Sequence, residues 1–277
     1  MSECLYRPTD EPDVDAAAAT QVFLPTPLTA SAWGPNMQHG GPVAALLTRA
    51  MEGLDPRPGT RITRVHVDIL GAIPLDPVRV TARIDRPGRR VQLLGAVLET
   101  RDATGQWRPA ARALAWQLAT QPTSEVVSQA DRSIPRPAHD AAEVPLPDAW
   151  RHGFVSALDL RLTGPVGVTG SPTVAWMELR VPLICGEAIS PLQSVMAVAD
   201  TANGVGARLD YQTWTYLNTD LSVVLFDAPA GPWFGIEAET SVGADGAAMS
   251  SAVLHQDSGP FGRITQTVLV ERRDEPR

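Results

Sequence analysis

SPLQSVMAVADTANG, residues 190–204, and GGPVAALLTRAMEG, residues 40–53, are the two stretches that decide the fold. In the first, Leu192, Val195, Met196 and Ala199 fall at i, i+3, i+4 and i+7. In the second, Val43, Leu46, Leu47 and Ala50 do the same. That spacing lines four apolar side chains along one face of a helix. Each helix is entered through a proline. Each is followed by a glycine, Gly204 or Gly53, where a left-handed C-terminal residue is expected. Two such helices in one chain of 277 residues point to an internal duplication.

The flanking sequence repeats as well. A strand-like run precedes each helix: TQVFLPTPLTA (20–30) and VAWMELRVPLIC (174–185). Alternating strand patterns follow at 63–73, 78–88, 90–102 and 111–119, then at 216–226, 233–243, 248–257 and 262–272. Proline, glycine and aspartate turn signals separate them. Aligned on the strand after the helix, Asp68 stands opposite Asp220; aligned on Gly105 and Gly259, Arg112 stands opposite Gln266. The segment 152–173 has no counterpart in the first half and reads as an extra hairpin or a lengthened first strand. Between the halves, 119–150 is rich in Pro, Ser, Asp and Ala without a period, as a linker is. The expected domains are 1–120 and 151–277, joined by 121–150. A strand, an apolar helix and a long antiparallel sheet make an α+β unit of the hot-dog type, in which one sheet wraps one helix. Two copies give a double hot-dog.

Composition narrows the function. A formal charge of −8 argues against nucleic acid or an anionic membrane as partner. No lysine is present; all 23 basic residues are arginine, which removes Schiff-base and Walker-type lysine chemistry. The five histidines show no metal-ligand spacing, so no metal is expected. Cys4 falls in a segment read as a frayed terminus and Cys185 in an apolar run, so no disulfide scaffold is indicated. Residues 1–15 are acidic and lack the apolar core of a signal peptide, and no apolar run is long enough to span a bilayer. Those features set cytoplasm as the expected location. No Gly-x-Ser-x-Gly occurs, which disfavours a serine hydrolase.

QHGGPVAALLTRAME, VDILGAIPLDPVRV, RPGRRVQLLGAVLE and ARALAWQLA resemble the first half of bacterial acyl-CoA thioesterases of the thioesterase II (TesB-like) type, especially an actinobacterial branch. SPLQSVMAVADTANG, YLNTDLSVVLF and GRITQTVLVE resemble the second half. The resemblance covers about residues 20–120 and 150–272. It implies hydrolysis of an acyl-CoA or acyl-carrier thioester by water, with no cofactor beyond the CoA of the substrate, in a homodimer or higher homo-oligomer. It also implies a catalytic trio: an Asp on the strand after the second helix, a hydroxyl on the next strand and a Gln on the last. These fall on Asp220, on Thr240 or Ser241, and on Gln266. After the Gln this chain departs from the family pattern, with Thr267-Val268 in place of a glycine-containing stretch.

The residue types suit the chemistry. A carboxylate can take a proton from water. An amide and a hydroxyl can hold that water in place. The helix start at His39-Gly40-Gly41 offers free N–H groups for a developing oxyanion, and its glycines let a ligand approach the backbone. His39 also reads as a helix cap. Asp200, inside an apolar helix, is the reserve base. The plain alternatives are an outward-facing Asp220, Gln266 or hydroxyl in ordinary strands. Two other functions compete: a non-catalytic acyl-ligand binder, and a hot-dog hydratase or dehydratase. The second needs an Asp/His pair that the sequence does not visibly assemble.

Overall fold

The computed structural model describes residues 3–9, 19–137, 151–163 and 173–273. In chain order the elements are β1 (Tyr6–Pro8), β2 (Ala19–Pro25), β3 (Ala30–Ser31), β4 (Gly34–Gln38), α1 (Gly40–Glu52), β5 (Thr60–Ile69), β6 (Val78–Arg86), β7 (Val91–Arg101) and β8 (Trp107–Ala119). The second half has β9 (Leu158–Thr163), β10 (Thr173–Leu179), α2 (Pro191–Ala199), α3 (Ala202–Gly206), β11 (Trp214–Asn218), β12 (Asp220–Leu225), β13 (Trp233–Val242), β14 (Ala247–Gln256) and β15 (Gly259–Arg272). Both long helices and all eight expected strands after them are present. The strand pattern at 216–226 is cut in two at Thr219.

One 13-stranded sheet runs β1-β2-β6-β7-β8-β5-β12-β15-β14-β13-β10-β9, with β11 pairing β15 off that path. Its centre is the antiparallel pair β5–β12. Outward from that seam the two halves follow the same order, so the fold is a double hot-dog. Asp68 and Asp220, aligned in sequence, are direct cross-strand partners at the seam. Joining the two sheets here removes one open edge from each. α1 lies against β5 to β8, and α2 against β10, β12 and β13. The helices also contact each other, and this burial explains their composition: Val43 to Leu47 and Val195 to Ala199 are almost fully buried.

The mirrored order gives the segment 152–173 a counterpart after all. Its strand β9 occupies the position that β1 holds in the first half. Residues 121–137, the described part of the expected linker, follow the outer surface of the second half. Asp131 pairs with Arg263, Arg132 with Glu237 and Arg136 with Asp257.

Two expectations are corrected. Cys4 is not frayed: it is 1% exposed and disulfide-bonded to Cys185, with a Cα–Cα distance of 5.2 Å. The pairing arises because Leu5 and Tyr6 donate backbone hydrogen bonds to the carbonyls of Pro182 and Leu183, which brings the terminus beside Cys185. Gly53 and Gly204 are not left-handed. Gly53 has φ −73°, and Gly204 lies within α3 and is not among the positive-φ glycines. The chain continues through right-handed turns at both places, so neither needs the residue that reverses a helix.

Candidate active site

α2 ends at Ala199, and Asp200 is its C-cap. Asp200 is 5% exposed. A carboxylate this buried is costly unless donors surround it. Asn218 Nδ2 donates to Oδ1 at 2.7 Å. Gln266 Nε2 lies 3.3 Å from Oδ1 and 3.3 Å from the Asp200 backbone carbonyl. His39 Nδ1 lies 3.1 Å from Oδ2. The N-terminus of α1 completes the enclosure: a Cβ at Gly40 would sit 2.6 Å from Oδ2. Only glycine lets the helix start come this close to the carboxylate, and the helix dipole there favours a negative charge.

The sheet sets which side chains can reach Asp200. Asn218 pairs with Val268, and Ser222 pairs with Thr265. Four steps on β11–β12 therefore face three on β15, which is a β-bulge. The bulge switches the inward parity of the strand. Before it Tyr216 is buried and Asn218 lines the cavity; after it Leu221, Val223 and Leu225 are buried. Along β15 the even-numbered residues face inward, and Gln266 among them is 1% exposed. Its Oε1 accepts from the backbone N–H of Asn203 at 2.9 Å, which aims its amide at Asp200. Asn203 Nδ2 in turn donates to the Tyr216 carbonyl.

The other expected residues lie elsewhere. Asp220 is on the outward side of the bulge, and its Oδ1 accepts from the Thr267 N–H at 2.5 Å. Thr240, Ser250 and Gln266 are cross-strand partners in one row across β13, β14 and β15. Thr240 is thus two strands from Gln266, or about 10 Å, and its Oγ1 abuts Gly206 of α3. Ser241 is exposed on the opposite face. Asp200, Gln266, His39 and Gly40 are brought together; Asp220, Thr240 and Ser241 are not part of that group. Asn218 and Asn203 were missed. Their signal was an amide in an apolar strand and another just past an apolar helix, which sequence alone does not separate from surface polarity.

His39 is the N-cap of α1, and its Nδ1 accepts from the Gly41 N–H at 3.0 Å. The same nitrogen faces Asp200, so the two contacts require opposite tautomers. With Nδ1 protonated, the ring answers Asp200 and the Gly41 N–H is free for a ligand. With Nδ1 bare, Gly41 is satisfied and Asp200 Oδ2 is free for water. The Asp/His pair that the sequence did not visibly assemble is therefore present in space. The Phe154 ring stands 4.8 Å from the His39 ring and holds it in place.

Asp200, His39, Gly40 and Asn218 open onto a cavity of about 640 Å³. Its walls are mainly apolar. Tyr216 forms part of one wall, and burial pushes its phenol up to about 12, so it stays neutral there.

Two family models match the chain: the acyl-CoA thioesterase N-terminal domain over residues 29–118 and the acyl-CoA thioesterase C-terminal domain over 138–270. The chain belongs to the acyl-CoA thioesterase family. It is a thioester hydrolase of that family. No curated protein sequence matches it. Among solved structures, a Thermobifida fusca protein assigned as a thioesterase II is 17% identical, with TM-score 0.74 and coverage of 94% of each chain. A conserved hot-dog protein of Alicyclobacillus acidocaldarius is 15% identical, with TM-score 0.70, covering 95% of this chain and 96% of that one. Acyl-CoA thioesterase II TesB2 of Mycobacterium marinum is 14% identical, with TM-score 0.63 and 96% coverage of both chains. At these identities the structures attest the double hot-dog fold of this acyl-CoA thioesterase rather than its chemistry.

Proposed function

We propose that the enzyme hydrolyses its acyl-CoA thioester with a water held and deprotonated by Asp200. The observation that carries this reading is the buried Asp200 carboxylate at the cavity wall, ringed by Asn218, Gln266, His39 and the glycine start of α1. Water bound between Asp200 Oδ2 and Asn218 adds to the thioester carbonyl carbon and gives its proton to Asp200. The carbonyl π electrons move onto oxygen. With water on Asp200 Oδ2, His39 Nδ1 is bare and holds the Gly41 N–H, so the Gly40 N–H is the donor for that oxyanion, Pro42 having none to offer. The intermediate collapses, the C–S bond breaks, and the leaving thiolate takes the proton held by Asp200, which restores the carboxylate as the acid leaves. Gln266 is a positioning residue: it fixes the Asp200 carboxylate and does not touch the substrate. No cofactor enters. Asp220, Thr240 and Ser241 have no part in this scheme. A cytoplasmic, CoA-linked role in lipid metabolism and assembly into a homodimer or higher homo-oligomer belong to the same reading.

Single turnover in ¹⁸O-water tests the water step. The label is expected in the released acid after the first turnover and absent from Asp200. Label in the Asp200 carboxyl would mean that the side chain attacked the carbonyl itself, and would overturn the scheme. An Asp/His pair could also hydrate an enoyl thioester; crotonyl-CoA is expected to release thiol without hydration of its double bond.

A further inference from the structure

Strand β9, the counterpart of β1, has a place in the fold but no role so far. β9 begins beside the catalytic corner. The turn before it, Gly153–Ala157, carries Phe154 against His39 and against the site where a Gly41 Cβ would stand. From there β9 runs antiparallel to β10, with Leu160 opposite Met177 and Leu162 opposite Ala175. Leu158, Leu160 and Leu162 share one face and line the cavity. Asp159 and Arg161 share the other and pair with each other at 3.1 Å. The alternation is that of a strand with one apolar face, turned here to the core and the cavity.

The direction of the strand gives the wall a gradient. Met177 lies at the catalytic end, where the Thr201 hydroxyl, next to Asp200, donates to its sulfur at 3.4 Å. Four residues further out on β10, Thr173 accepts a hydrogen bond from Arg208 at 3.1 Å. This polar pair ends the apolar stretch. Four strand residues span about 13 Å. An extended chain advances roughly 1.2 Å per bonded atom, so the stretch holds about ten to eleven carbons. In the first half the same position belongs to β1, three residues long, and its Tyr6 is buried against Gln38. Among the described residues no comparable leucine wall stands there.

We propose that β9 is the acyl-chain wall of the enzyme. Leu160 and Leu162 set the accepted chain length, and the substrates are medium-length aliphatic acyl thioesters, near ten to twelve carbons. This rests on the placement of the reaction at Asp200.

The test uses Leu162→Trp, Leu160→Trp and Leu162→Ala in the full chain, each checked for folding by its thermal melt. The first readout is kcat/KM for butanoyl-, dodecanoyl- and hexadecanoyl-CoA. In wild type, dodecanoyl-CoA is expected to exceed both others. Each Trp variant is expected to lower the dodecanoyl-to-butanoyl ratio by at least tenfold. Leu162→Ala is expected to raise the hexadecanoyl-to-dodecanoyl ratio. The second readout is the Kd of non-hydrolysable S-butyl- and S-dodecyl-CoA, which needs no turnover. A length profile unchanged in all three folded variants, in both readouts, would overturn the wall. If Asp200→Asn leaves hydrolysis intact while the Trp variants still lose S-dodecyl-CoA, the placement of the reaction fails and the wall stands.

Discussion

Asn218 and Asp220 are two residues apart, yet one faces the cavity and the other the outer surface of the sheet. In an uninterrupted strand they would share a face. The bulge at Thr219 separates them, and nothing in LNTDLSV announces it. That is why Asp220 drew attention in the sequence and Asn218 did not. Asp200 was legible as an acid in an apolar helix and as the reserve base, second to Asp220. Its meaning came from His39 and Gly40 of the other repeat, 160 residues away in sequence. Asn218→Ala removes the shortest hydrogen bond to the carboxylate and is expected to lower kcat while the protein stays folded, as steady-state kinetics would show. Gly40→Ala puts a methyl group against Asp200 Oδ2. Displacing a reacting group by about 1 Å can cost roughly 10²-fold, and a loss of that order in kcat is expected. Unchanged kcat in Gly40→Ala would mean that Asp200 does not need its present position.

At the scale of elements, α1 and the start of α2 were legible to within a residue because their apolar faces are buried and recur with helical period, whereas the break after Ala199 that separates α2 from α3 was not. What the sequence also hid was how α1 and α2 meet. Asp200 at the end of α2 meets the start of α1, and Glu52 at the end of α1 meets the start of α2. The second meeting is closed by the protein itself: Ser190 and Gln193 donate to Glu52 at 2.8 and 2.7 Å. Burial raises the Glu52 carboxyl above its ordinary 4.5, against the lowering effect of those donors. A carboxyl raised in the folded state binds its proton more tightly than in the unfolded chain. Its contribution to stability is full below about pH 4.5 and is lost as pH rises through the folded value. Thermal melts at pH 4, 5.5 and 7 check this. Glu52→Gln is expected to gain on wild type as pH rises, and a constant difference across that range would show that Glu52 is not raised.

At the scale of the molecule, the duplication was readable and its closure was not. Cys4 and Cys185 are 181 residues apart, and no spacing rule pairs them. Only the backbone bonds of Leu5 and Tyr6 to the loop at 182–183 show why they meet. A crosslink over so long a loop restricts the unfolded chain, and its loss is expected to cost about 2–4 kcal/mol. The Cys4→Ser, Cys185→Ser double variant should therefore melt several degrees lower than wild type in a calorimetric scan. The duplicated halves differ where it matters. At the place equivalent to Asp200 stands the buried Met51, so each chain is expected to work through one site, at Asp200 where the two halves meet. The most direct measurement compares kcat/KM for dodecanoyl-CoA in Asp200→Asn and Asp220→Asn. Loss of a general base is worth roughly 10²–10⁴-fold. Asp200→Asn is expected to fall by that factor, with Asp220→Asn remaining within a few-fold of wild type. The reverse order, or full activity in Asp200→Asn, would contradict the assignment of the reaction to Asp200.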